Sequence, residues 1–121
     1  MKLTVYHLKT CDTCRKAIKT LQGAGHELTL IDVRADGVLA AELARLEKAV
    51  GWEKLLNTRS TTWRGLDAAD KADIDATKAI NLMSQHPTLI KRPVIARNNS
   101  EGGALITVGW TKESKQSWFK V

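Results

Sequence analysis

Hydrophobic spacing changes period twice within the first thirty-two residues, and that alternation restricts the fold more than any other feature of the chain. Leu3-Thr4-Val5-Tyr6 is a short run rich in β-branched and aromatic residues, the composition of a strand. Ala17, Ile18 and Leu21 then recur at helical spacing with Lys and Gln between them. Gly23 and Gly25 bracket a stop, and Leu28-Thr29-Leu30-Ile31-Asp32 returns to a strand. Strand, helix and strand at this length make a βαβ unit, with parallel strands and a right-handed crossover.

Cys11 and Cys14, the two cysteines of the chain, fall where the first strand hands over to the first helix. A helix N-terminus offers unpaired N–H groups and the positive end of the macrodipole, and both favour a thiolate. Arg15, Lys9, Lys16 and His7 add nearby basic groups. A Cys-x-x-Cys thiol in such surroundings has its pKa lowered from about 8.5 into a range of roughly 3.5–7.5. Cys11, nearer the helix start, is the expected nucleophile, and Cys14 the expected resolving thiol facing the interior. The competing readings are half of a zinc site or two incidental thiols. Zinc takes about four ligands. No second Cys-x-x-Cys exists, and His26 and His86 lack ligand spacing, so no metal is expected.

The chain has 121 residues, 43% of them hydrophobic, which suits one globular domain over 1–121. No apolar run approaches the roughly 18 residues of a membrane span. Leu3-Thr4-Val5-Tyr6 is too short for the apolar region of a signal peptide, so a cytoplasmic location is expected. Two cysteines in a reducing compartment fit a catalytic pair better than a structural disulfide. The formal charge of +6 raises nucleic acid as a partner. However, the basic residues are scattered among 13 acidic ones without a long run of like charge. Solvated faces and attraction for an anionic substrate account for the balance, and direct nucleic-acid binding is not expected.

From Leu39 to His86 the pattern is helical. Leu39, Leu43, Leu46 and Val50 mark one stripe, which Gly51 breaks. Trp52, Leu55 and Leu56 form a short turn, residues 57–65 read as a polar loop, and Asp67 begins another short helix. Ala76, Ile80 and Met83 carry the last helix of this block, which stops before Pro87. Pro93-Val94-Ile95-Ala96 and Leu105-Ile106-Thr107-Val108-Gly109 read as two strands joined by a hairpin loop over residues 98–103. Thr111 is the expected N-cap of a closing helix that carries Trp118 and Phe119. The order βαβ, helices, ββα, with the cysteine pair after the first strand, is a thioredoxin-like α/β arrangement with a helical insertion at about 38–87. Such a fold places a proline, usually cis, beside the active cysteine, and Pro93 is the candidate. A trans proline that merely opens an edge strand is the alternative.

Four stretches resemble the arsenate reductase–Spx family, most closely its YffB-like branch: residues 7–15, 51–59, 61–64 and 86–93. The resemblance covers nearly the whole chain. It implies that Cys11 matches the cysteine that attacks arsenate in the glutaredoxin-coupled reductases, where glutathione resolves the adduct. It implies that His7 supports the thiolate and that Arg59 and Arg92 match two of three oxyanion-holding arginines. Arginine suits that task because its charge is permanent and its donors are bidentate. Where those reductases place an Arg-Pro pair after the last strand, this chain has Gly109-Trp110.

The resulting expectation is a thiol–disulfide oxidoreductase that binds no cofactor tightly and uses glutathione, or glutaredoxin, as reductant. Cys11, Cys14, Arg15 and His7 are its expected catalytic group. Arg59, Arg92, Pro93, Thr61 and Thr62 are expected to bind glutathione or an anionic small molecule. Arg15 as a solvated helix charge, His7 as a strand-end residue and Arg59 as a brace of the insertion are the structural alternatives. The alternative function is a Spx-like regulator that binds the RNA polymerase α-subunit and uses the cysteine pair as a redox switch.

Overall fold

In a computed structural model that describes residues 2–97 and 105–118, the elements run β1 (Lys2–His7), α1 (Asp12–Gly23), β2 (Glu27–Asp32), α2 (Ala40–Val50), α3 (Trp52–Leu55), α4 (Thr61–Arg64), α5 (Ala68–Lys71), α6 (Ala76–Gln85), β3 (Val94–Arg97), β4 (Ile106–Val108) and α7 (Lys112–Gln116). Packing divides the chain into two units, Met1–Asp32 with Arg92–Val121, and Val33–Lys91.

The first unit is built on a four-stranded sheet of order β2-β1-β3-β4. β1 runs parallel to β2, from Lys2 opposite Glu27 to His7 opposite Asp32. β3 is antiparallel to β1, and β4 to β3. This is the thioredoxin-like arrangement. Leu3 and Val5, two apart on β1, share a face of the sheet, and Ile95 lies opposite Val5. They form a buried cluster with Leu21 of α1 and with Trp118. Burying one such aliphatic side chain contributes about 1.5–3 kcal/mol. The turn after α1 needs Gly25, whose φ of +92° is a backbone conformation that side chains strain.

At the other end, the Thr111 hydroxyl accepts the Ser114 N–H and the Ser114 hydroxyl accepts the Thr111 N–H, a reciprocal cap that starts α7. The helix is shorter than its apolar residues suggested. It ends at Gln116, and Trp118 lies beyond it, only 4% exposed. The Trp118 indole donates to the Thr107 hydroxyl at 3.0 Å, so a side-chain bond to β4 seats the ring without a helix to carry it. Phe119 and the expected hairpin loop at 98–103 lie outside the described residues.

In the second unit α2 buries Leu43 and Leu46 against α6, which buries Ala79, Leu82 and Met83. The Asn57 N–H donates to the Leu89 carbonyl and the Lys91 N–H to the Leu55 carbonyl, both at 2.7 Å, around a Leu56–Ile90 bridge. One sequence expectation needs correction here. Residues 57–65 are not all loop: the Ser60 hydroxyl accepts the Trp63 N–H at 3.1 Å and starts α4. α6 stops before Pro87 as expected, and Pro87 then opens a 3-10 turn, Pro87–Leu89. Among the described residues, no helix is long and apolar enough to cross a membrane.

Candidate active site

The carboxyl ends of the parallel pair β1 and β2 set the position of Cys11. Beyond His7 the chain makes a tight turn, closed by the Cys11 N–H donating to the Leu8 carbonyl at 2.9 Å. Inside that turn the Lys9 N–H donates to Oδ2 of Asp32, the last residue of β2, at 3.1 Å. Cys11 is thereby the N-cap of α1, with φ −89° and ψ 113°, and its carbonyl accepts the Arg15 N–H at 3.1 Å. Cys14, one turn further on, is fully buried on the same face as Ala17 and Leu21, while Cys11 is partly exposed.

Their ionisation is divided by this placement. Partial burial opposes charge on Cys11. The Cys14 amide, a hydrogen bond from the Cys14 thiol, the Arg92 guanidinium and the Thr13 amide outweigh it, and the Cys11 pKa is lowered from the ordinary thiol value. The cap is electrostatic rather than a conventional side-chain hydrogen bond. Burial is also the largest influence on Cys14, and here it wins: with the bond to Cys11 and the charge there, it pushes the Cys14 thiol up to about 12. The backbone at Leu8 and the charge of Arg92 oppose that rise without cancelling it.

Arg92 acts on both sulfurs from the segment before β3. The Arg92–Pro93 peptide bond is cis, Pro93 is buried, and its carbonyl accepts the Gly109 N–H at 2.8 Å. Cys11, Cys14, Arg92 and Pro93 are thus brought together by the first unit. His7 and Arg15 are not among the groups that chiefly set the Cys11 ionisation. His7 is 8% exposed at the end of β1, in register with Asp32. The Arg15 guanidinium pairs with the Asp12 carboxylate at the helix surface, where an ion pair contributes little.

Arg59, Thr61 and Thr62 belong to the second unit and gather around α4. The Arg59 N–H donates to the Asn57 side chain at 3.0 Å, its carbonyl accepts the Arg64 guanidinium at 2.9 Å, and its side chain is exposed. Thr61 is the exposed first residue of α4, and the Thr62 and Thr88 hydroxyls are 2.7 Å apart. Among the described residues, no three His, Cys, Asp or Glu side chains come together as a metal site would require. Sequence reading placed Asp32 at the end of a strand and gave it no part in the site. The available signal was a carboxylate ending β2 where a parallel partner strand turns into the cysteine loop.

A buried thiol that holds its proton, hydrogen-bonded to a thiol of lowered pKa at a helix terminus, suits thiol–disulfide exchange. It supplies a nucleophile, and one turn away a second sulfur able to displace whatever the first has bound.

Comparisons with known proteins give a consistent picture. Residues 6–116 match the model of the ArsC family. An uncharacterised protein of Haemophilus influenzae is 43% identical over 117 residues, covering 97% of this chain and 98% of that one. An arsenate reductase of Escherichia coli is 28% identical over 95 residues, covering 77% of this chain and 67% of that one. A solved YffB protein superposes with a TM-score of 0.82 at 36% identity, over 95% of this chain and 96% of that one.

Proposed function

The chain belongs to the ArsC family, and from that premise we propose that it is a glutathione-dependent thiol–disulfide oxidoreductase. The observation that carries the reading is the Cys11–Cys14 pair, with a sulfur of lowered pKa at the start of α1 and a buried, protonated thiol hydrogen-bonded to it. In the first step the Cys11 thiolate attacks the glutathione sulfur of a mixed disulfide. A Cys11–glutathione bond forms and the substrate thiolate leaves. In the second step Cys14 gives up its proton and attacks the Cys11 sulfur, closing a Cys11–Cys14 disulfide and releasing glutathione. Two further glutathione molecules, or reduced glutaredoxin, return the pair to the dithiol as they are oxidised to a disulfide.

Arg92 beside the pair would hold a carboxylate of glutathione. Arsenate is the less favoured substrate, because Gly109-Trp110 stands where the related reductases carry an additional arginine, leaving less positive charge for an oxyanion.

The test is to incubate Cys14→Ser protein with oxidised glutathione and map the adduct by mass spectrometry. One glutathione on Cys11, together with turnover of a glutathionylated peptide by the intact protein, is the expected result. Absence of both overturns the reading. Oxidation-dependent binding to purified RNA polymerase α-subunit in that case would favour the regulator instead.

A further inference from the structure

We propose that Asp32 is a positioning residue for Cys11: by accepting the Lys9 N–H, its buried carboxylate fixes the turn that holds the Cys11 sulfur against the first amides of α1. The inference rests on Cys11 being the nucleophile of the proposed reaction, but not on glutathione being its partner.

The argument starts from burial. Asp32 is only 6% exposed, and a buried carboxylate is tolerated where hydrogen bonds replace its lost water. One such bond comes from the backbone of the cysteine loop itself, Lys9 N–H to Oδ2 at 3.1 Å. Because β1 and β2 are parallel, with His7 opposite Asp32, the end of β2 lies where β1 leaves the sheet. The loop is four residues long and is held at two points, by Asp32 at Lys9 and by the Leu8 carbonyl at Cys11. Between them these bonds decide where the N-cap falls, and so how closely the Thr13 and Cys14 amides face the sulfur. Amide-to-thiolate stabilisation fades within the first turn, and a displacement of about 1 Å in a reacting group is enough to slow chemistry severely.

Position and charge make opposite predictions. A carboxylate acting on Cys11 only through its charge would disfavour the thiolate, so neutralising it would lower the Cys11 pKa. A carboxylate acting through the Lys9 N–H would, when removed, loosen the turn and raise that pKa. Asp32→Asn keeps an acceptor oxygen in place and discards the charge. Asp32→Glu keeps the charge and displaces the acceptor by one methylene. Asp32→Ala discards both.

The experiment is thiolate absorbance against pH, with the rate of Cys11 alkylation by iodoacetamide at about pH 6, in the full chain and in these variants, each built on Cys14→Ser. Neither readout involves glutathione, so failure of the glutathione reading and failure of this one are told apart. The expected result is that Asp32→Asn stays within about twofold of the parent, whereas Asp32→Glu and Asp32→Ala lose about tenfold in alkylation rate with a raised pKa. Should Asp32→Ala not fold, the order of Asp32→Asn above Asp32→Glu still decides. A faster, lower-pKa Asp32→Asn overturns the proposal in favour of a charge effect. Equal Cys11 behaviour in all folded variants overturns it in favour of a purely structural role.

Discussion

The Cys14 thiol donates a hydrogen bond to the Cys11 sulfur one helical turn before it, so the pair carries a single, shared acidic position. Replacing Cys14 by Ala removes the thiol donor of that bond and leaves the backbone amide in place. The Cys11 pKa should rise, and thiolate absorbance at about pH 7 should fall accordingly. Cys14→Ser, which keeps a hydroxyl donor, should retain more of the thiolate than Cys14→Ala. Titration of the two variants side by side checks this.

Arg92 is the cation whose charge favours both thiolates. Arg92→Gln should raise the Cys11 pKa and slow alkylation at about pH 6 by roughly threefold to tenfold, since an opposite charge near a titrating group shifts it by about one unit or less when part of the field is lost to solvent. Arg92→Lys should keep most of the thiolate. It should nevertheless weaken glutathione binding, because a lysine cannot reproduce the planar two-donor fork. Measuring KM for a glutathionylated peptide alongside the alkylation rate separates the two effects.

Stability of the reduced protein should fall in alkali. A free thiol ionises at about 8.5, whereas Cys14 in the folded chain holds its proton up to about 12. Between those values the unfolded state binds fewer protons than the folded state, so ionisation favours unfolding. The stabilisation from a neutral Cys14 is fully present below about pH 8.5 and is lost at about 1.4 kcal/mol per pH unit above it. Cys11 works in the opposite sense, because its folded-state pKa is lowered, so its contribution grows as the unfolded thiol ionises and is common to the parent and Cys14→Ala. Urea midpoints at about pH 8 and pH 10 should show the loss in the reduced protein and not in Cys14→Ala.

The reciprocal cap at α7 offers a control that leaves the sulfur chemistry alone. Thr111→Ala removes the acceptor of the Ser114 N–H and should destabilise the chain by about 1 kcal/mol. The Cys11 titration should not move. Urea unfolding with the absorbance titration on the same sample checks both.

What could be read from the sequence depended on how far each signal reached. The βαβ start was legible because the change of period from β1 to α1 to β2 is local. Thr111 was legible because a cap is recognised from the residues beside it. Ser60 has the same chemistry, but α4 is only four residues long, too short for a hydrophobic period to mark it as a helix. The role of Asp32 was invisible for a different reason. Its bond to Lys9 spans 23 positions and exists only because the β1–β2 register puts Asp32 beside His7. Trp118 escaped the closing helix because its anchor is the Thr107 hydroxyl on β4, which no helical pattern encodes. The cysteine pair itself was plain, and so was an inward-facing Cys14, whereas the action of Arg92 on both sulfurs depends on a segment far along the chain.

Gly109 leaves β4 with a φ of +85° while its N–H is bonded to the carbonyl of Pro93. A Cβ at that position meets no neighbouring atom but must adopt a backbone conformation that costs about 1–2 kcal/mol. A chain built this way does not pass to an arginine at position 109 by a single, neutral exchange. The corner after β4 is therefore limited by main-chain geometry and not by room, and a charge recruited at this position has to come with a rebuilt turn.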